Sequence, residues 1–320
     1  MKTWLQKLGS LAGLVFVFLL FALLQPAKFA TADNLQIMLL QTAVVGTAAL
    51  GMTVVIISGG IDLSVGSVIA LSTVSIALLL NRGVSPLAAA CGGVAVGAIC
   101  GLLIGLIITR AKLPPFIVTL GMWGALRGAA KGLANEQIIV TPNTWLNRLL
   151  NTLADEQKWM LLPAGVWMLL LLALLVGAML RYTRLGRHIL AVGSNEQTAR
   201  LCGVSVERTK VLVYVLGSGF AALAGVLQFS YLTVGDPTTA AGMELDVIAA
   251  VVIGGASLAG GEGSVFGSLV GALIMTVVGN GCTKMEFPNW VQEIVTGVII
   301  LVAVVLDRLR HRATAALNRN

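Results

Sequence analysis

The sequence predicts an all-α fold: a polytopic transmembrane helical bundle of about ten spans, built as one domain over residues 1–320. Three observations predict it. Of 320 residues, 57% are hydrophobic and only 11% charged, with a mean hydropathy of +0.93. A soluble domain carries about 25% charged residues because its surface must face water, so here lipid has to cover the outside. Uncharged runs of spanning length recur along the whole chain. The 37 glycines suit helices that approach closely within a membrane.

A helix needs about 20 apolar residues to cross the hydrocarbon core. Residues 8–27 supply the first run, between Lys7 and Lys28. The second (34–61) and third (63–81) are divided by Gly59-Gly60-Ile61-Asp62. Runs at 83–109, 113–134, 159–180 and 211–235 follow, then 244–261, 263–283 and 290–306. Arg127, Asp246 and Glu293 interrupt the fifth, eighth and tenth. The first run, with Lys2 and Lys7 before it and Ala30-Thr31-Ala32 after it, also has the outline of a signal peptide, but it is long for one. Residues 135–160 form a hydrophilic loop rich in Asn, Thr, Pro and Trp, and residues 181–210 a basic, helix-forming one.

Cationic loops stay on the cytoplasmic side. With ten spans and a cytoplasmic N-terminus, that side collects Lys2, Lys7, Arg110 and Lys112, six basic residues of the 181–210 loop, and Arg308, Arg310, Arg312 and Arg319. Both termini are therefore expected in the cytoplasm, with 135–160 outside. The net charge of +7 is explained by this bias, and nothing else points to nucleic acid. Cys91, Cys100, Cys202 and Cys282 show neither CxxC pairing nor metal-ligand spacing, and read as small buried or cytosolic residues. No metal site is expected. His188 and His311 both fall in basic cytosolic segments, which excludes a histidine-based hydrolase inside the membrane. No G-x-x-x-x-G-K-[ST] string is present to cradle ATP, so the chain is not itself an ATPase and binds no cofactor.

Three clusters remain. Gly59 and Gly60 let a helix unwind, and Asp62 with Ser64 can cap the helix that restarts. Asp62 is either a cap at the membrane edge or a group beside a pathway. Glu244 and Asp246 open an apolar run that ends at Gly254-Gly255, either as acids favoured by a helix N-terminus or as polar lining near the outer mouth of a pore. The two glycine breaks echo one another, each followed by Gly-Ser-Val, and mark two broken helices. In the basic loop, Glu196, Ala199 and Gly203 at i, i+3 and i+7 would share one face of a short helix, where small residues leave room for a docking protein. An ordinary basic loop is the plainer reading.

Four strings decide between these readings: Gly59-Gly60-Ile61-Asp62-Leu63-Ser64-Val65-Gly66-Ser67; Thr183-Arg184-Leu185-Gly186-Arg187; Gly193 to Gly203; and Glu244-Leu245-Asp246 through Gly254-Gly255 to Gly260-Gly261. In order and spacing they resemble the permeases of bacterial ABC importers for ribose, xylose, arabinose and related sugars, over about residues 34 to 306. The resemblance implies the ABC-permease fold in the bacterial inner membrane. It also implies a second permease subunit, identical or different, two ATPase subunits carrying ATP and Mg, and a periplasmic sugar-binding protein. Glu196, Ala199 and Gly203 would lie in the coupling helix seated on the ATPase, although Gln197, Thr198 and the late glycine depart from the E-A-A-x-x-x-G pattern.

A sugar is neutral and polyhydroxylated, so its path calls for neutral hydrogen-bonding groups. Gln41, Thr42, Thr119, Gln228 and Asn280 are the candidates, each of which also has a packing role open to it. A permease of the same superfamily for a branched-chain amino acid, a nucleoside or a sugar-derived signal is the alternative reading. A proton- or sodium-coupled transporter would need acids in mid-membrane, whereas Asp62, Asp246 and Glu262 sit near glycine breaks or helix ends.

Overall fold

The computed structural model describes residues 2–151 and 160–317, with side chains described for 9–151 and 160–305. Each expected span has a helix. These are α1 (Lys2–Leu24), α2 (Ala32–Ile57), α3 (Val65–Asn81), α4 (Pro86–Arg110), α5 (Pro115–Leu133) and α6 (Ala164–Tyr182). The basic loop then folds into α7 (Arg184–Ser194) and α8 (Glu196–Leu201), followed by α9 (Val206–Leu232), α10 (Met243–Ile253), α11 (Val265–Lys284) and α12 (Asn289–Leu317).

Among the described residues, five helices, α2, α4, α6, α9 and α11, are long and apolar enough to cross a membrane, and shorter apolar helices cover Gly9–Leu24, Val65–Asn81 and Asn289–Val305. The expected eighth span is different. Its helix, α10, has 11 residues and is about 16 Å long, roughly half the hydrocarbon thickness. The chain between α9 and α10 is irregular and buries Gly235 against α3, where the Thr73 hydroxyl donates to the Asp236 carbonyl at 3.3 Å. Apolar composition over 244–261 reads as a full span and could not show that its helix stops at Gly254.

The core is α2, α3, α4 and α9, which share the most extensive packing. In the most apolar stretch of α2, 89% of residues are buried, against 28% for α6, which presents Leu171 and Leu174 outward. α2 is thus enclosed by protein, whereas much of α6 faces outward. Glycines at every fourth position of α4 bring two backbones together. A Cβ at Gly97 would press on Ala222 and the Ser218 carbonyl, at Gly101 on the Tyr214 carbonyl, and at Gly105 on Val211.

The two ends of the bundle differ. At one, α2 and α10 terminate and α7–α8 packs beneath them. At the other, residues 139–140 (β1) pair antiparallel with 234–235 (β2), Ile139 opposite Gly235. There Lys28 Nζ also donates to Glu286 Oε1 at 2.8 Å, which holds that carboxyl below the usual carboxylate range. The expected hydrophilic loop is therefore partly ordered onto the bundle over residues 139–151; residues 152–159 of it lie outside the described residues. Of the cysteines, Cys100 and Cys282 are buried and Cys202 is exposed on the basic loop, while Cys91 is exposed on α4 and so is not a packed core residue.

Candidate functional site

Gln41 of α2, Gln228 of α9 and Asn280 of α11 line one cavity of about 420 Å³, within the ordinary size of a small-molecule site. Asp246 of α10 joins them, as do Thr276, Thr283, Lys284 and Gln292. The amides offer donors and acceptors side by side. Asn280 is fixed by a reciprocal pair with Asn34, each amide nitrogen donating to the other's oxygen at 2.8 and 3.0 Å. Gln228 Nε2 donates to Thr239 Oγ1 at 2.8 Å. Thr42 lies elsewhere: buried, its hydroxyl donates to Met38 O within its own helix. Thr119 is also apart, donating at 3.2 Å to the Ile61 carbonyl in the α2–α3 break. Lys284 and Gln292 escaped the sequence reading because each sits at a helix end among loop-like residues. Only the meeting of α11 with α12 turns them inward.

The break after α2 is real and deeply enclosed. Asp62 is fully buried. Its Oδ1 accepts from the backbone N–H of Ser64 at 2.8 Å and from the Ser64 hydroxyl at 2.6 Å. Ser64 occupies the N-cap position of α3 without making a side-chain cap bond, because Asp62 has engaged its hydroxyl. Asp246, by contrast, sits in the first turn of α10 beside Glu244, where the helix dipole favours a negative charge. Gly254 ends that helix with its Cα packed on Gly267 of α11, and Gly255 takes a φ of +94°.

The two glycine breaks, far apart in sequence, meet. The Gly261 N–H donates to the Ile57 carbonyl at 2.8 Å, joining the end of α2 to the loop after α10. Gly193, on the last turn of α7, packs into the same joint: a Cβ there would overlap the Ile57 carbonyl oxygen and stand 2.7 Å from the Gly261 nitrogen. At Gly260 it would lie 2.7 Å from the Gly193 carbonyl oxygen and 2.9 Å from Gly59 Cα. Three backbone segments thus interlock where no side chain fits. A cleft of about 890 Å³ opens beside them, lined by Gly59, Gly60, Glu196, Arg200, Leu201, Lys210 and Tyr214 among others.

Glu196, Ala199 and Gly203 do not share a helix face. α8 ends at Leu201. Ala199 points inward and packs with Val192 and Val206. Gly203 follows the helix with a φ of +82°. Its N–H donates to Arg200 O and that of Val204 to Ala199 O, both at 3.0 Å, which is the Schellman arrangement that ends helices on glycine. Glu196 is engaged by Lys210 at 2.6 Å and Arg200 at 3.7 Å. The residue this loop offers outward is Leu201, 88% exposed. The i, i+7 spacing presumed an unbroken helix, and the glycine that spoiled it was itself the stop signal.

Residues 34–304 match the family described as the branched-chain amino acid transport system permease component. The ribose import permease protein RbsC of Escherichia coli K12 is 38% identical over 316 residues, 97% of this chain and 96% of that one. RbsC of Bacillus subtilis 168 is 37% identical over 305 residues, covering 95% and 93%. The L-arabinose ABC transporter permease protein AraH of Azospirillum brasilense is 35% identical over 322 residues, covering 97% and 91%. No solved structure matches the chain.

Proposed function

Since this chain belongs to the permease-component family of these ABC transporters, we propose that it is the membrane-spanning subunit of an ATP-driven importer carrying a monosaccharide, a ribose-like pentose or a related sugar, from periplasm to cytoplasm. The observation that carries the proposal is the 38% identity to a ribose import permease over 97% of this chain. The polar cavity supports it chemically, because Gln41, Gln228, Asn280 and Gln292 present neutral donors and acceptors suited to hydroxyl groups. Thr42 and Thr119, engaged with backbone carbonyls, are assigned to packing.

In this reading two permease subunits enclose the pathway in the inner membrane, with both termini cytoplasmic. ATP and Mg reside on two separate ATPase subunits, and a periplasmic binding protein delivers the sugar. The α7–α8 loop meets the ATPase through Leu201 and the outer surface of α8, with Glu196 held in place by Lys210. The interlocked glycines then link that loop to α2, α10 and α11, three helices that line the cavity.

One feature favours a zwitterionic solute instead: Asp246 and Lys284 line the same cavity, and the family description names amino acids. A single experiment separates the two. Cells expressing the permease with its ATPase and binding protein are assayed for uptake of radiolabelled ribose, arabinose and xylose, with unlabelled leucine as competitor. Uptake of at least one sugar, insensitive to leucine, is expected. Leucine uptake without sugar uptake would replace the sugar reading with the amino-acid one.

A further inference from the structure

Helix α5 exposes Phe116, Ile117 and Leu120 near its start, and beyond them a row of glycines. At Gly121, Gly124, Gly128 and Gly132 a Cβ would meet nothing within 4 Å. Beside these glycines stands Trp123, 39% exposed. It lies near the middle of α5, about 12 Å from the helix start, and so away from the membrane surfaces where tryptophan belts gather. Its indole N–H is turned into the protein and donates to Glu244 Oε1 at 3.1 Å, while its backbone carbonyl accepts from the Ser67 hydroxyl at 2.8 Å. Glu244 is 8% exposed, and its second oxygen is buried with no partner. One turn further along α5, Arg127 Nη1 donates to the carbonyls of Pro237 and Thr239 at 3.0 and 2.7 Å.

Charged groups this deep in a membrane protein are costly and mark pathways for polar solutes. The Thr239 hydroxyl accepts from Gln228 of the polar cavity while its carbonyl accepts from Arg127. The cavity and the α5 surface are therefore separated by one stretch of backbone, residues 235–242. We propose that Trp123 is an aromatic contact for the sugar ring on the α5 side of that stretch, with Glu244 as the positioning residue that holds the indole by its N–H. The inference rests on the sugar-importer reading. Its chemistry is that of pyranose and furanose rings, whose C–H groups gather on one ring face and whose hydroxyls point to the rim. An indole face offers such a ring broad apolar contact, and its polar edge is already satisfied by Glu244. The bare glycines leave room for the ring to lie flat beside it.

The test uses proteoliposomes holding the full transporter, supplied with sugar-loaded binding protein and ribose, arabinose or xylose as labelled probe. Sugar delivered per ATP hydrolysed is compared for wild type, Trp123→Phe, Trp123→Leu and Trp123→Ala. Trp123→Leu keeps apolar bulk without a ring face, so it separates ring contact from simple packing. Trp123→Ala and Trp123→Leu should each fall at least fivefold, and Trp123→Phe should recover at least half of wild type. Glu244→Gln, which keeps an acceptor for the indole N–H, should exceed Glu244→Ala. Equal transport by Trp123→Leu and Trp123→Phe, or wild-type transport by Trp123→Ala, overturns the proposal. Wild-type transporter that moves none of the three sugars would instead defeat the sugar reading itself.

Discussion

Replacing Gly193 by alanine adds one methyl group where three backbones meet. The new Cβ would overlap the Ile57 carbonyl oxygen and lie 2.7 Å from the Gly261 nitrogen and 2.9 Å from the Ile57 carbonyl carbon. All three are main-chain atoms, so no side chain can swing aside. Gly193 is helical and its φ is not in the left-handed region, so the cost is steric and not conformational. Forcing a methyl group into a packed joint costs about 1–3 kcal/mol. The Gly261–Ile57 hydrogen bond of 2.8 Å must lengthen or break, adding about 1 kcal/mol. Relief of about 2–4 kcal/mol is most easily found by shifting α7 away from the end of α2, which separates the α8 loop from the helices above it. Gly193→Ala should therefore cut sugar transported per ATP hydrolysed by more than tenfold, because about 1.4 kcal/mol is a factor of ten and even the lower figure exceeds it, while permease abundance in the membrane stays within about twofold of wild type. Gly177→Ala on α6 is the control, since a Cβ there meets nothing within 4 Å. Wild-type coupling and wild-type thermal stability in Gly193→Ala would refute the claim that the joint is tight.

Four further outcomes follow from the same geometry. Gly203→Ala should cost about 1 kcal/mol, because its φ of +82° disfavours any side chain even though the surrounding space is open; differential scanning of the purified transporter measures this as a small shift. Leu201→Glu should reduce ATPase co-purification by at least tenfold while leaving permease abundance intact; normal co-purification would remove Leu201 from the docking surface. Gln228→Leu should impair uptake by losing a cavity amide and its bond to Thr239, whereas Thr42→Val should not, since Thr42 bonds only within its own helix. Transport assays normalised to permease abundance compare the pair. With Cys91, Cys100 and Cys282 replaced, an impermeant maleimide should label Cys202 in inverted vesicles and not in intact cells; labelling from outside would reverse the assigned topology.

Much of the bundle was legible because membrane helices announce themselves by composition. Each expected apolar run contains a helix, and Gly59-Gly60 and Gly254-Gly255 marked the two broken ends. What composition cannot carry is where the chain bends between two apolar stretches. The stretch before α10 carries Asp236-Pro237-Thr238-Thr239, which marks a turn between the two apolar runs, but its course is set by contacts with Thr73, Gln228 and Arg127 that no local signal shows. Gly203 was legible in principle, since glycine just after a short helix is the usual stop. Reading it as a docking face required the helix to run through it. Gln41, Gln228 and Asn280 were selected as polar residues in apolar surroundings, and three helices bring them together. Residue type does not single out Trp123, since a tryptophan in a membrane protein is ordinarily an interface anchor. Its position in mid-helix and its bond to Glu244 set it apart, and neither follows from residue type.

The glycine seam between α4 and α9 has a consequence for how the protein is made. Gly105 meets Val211, and Gly97 meets Ala222, so the partners are more than a hundred residues apart in the chain. At about 5–20 residues per second, α4 emerges from the ribosome some 5–20 s before the helix it is shaped to fit. During that interval its notched side faces lipid or other newly made helices, and neither can fill a row of missing side chains as α9 does. Slowed translation between α5 and α9 should lengthen this exposure and raise the fraction of chains captured by membrane quality-control proteases. Pulse-chase turnover of a version carrying rare codons over residues 135–200 would measure it.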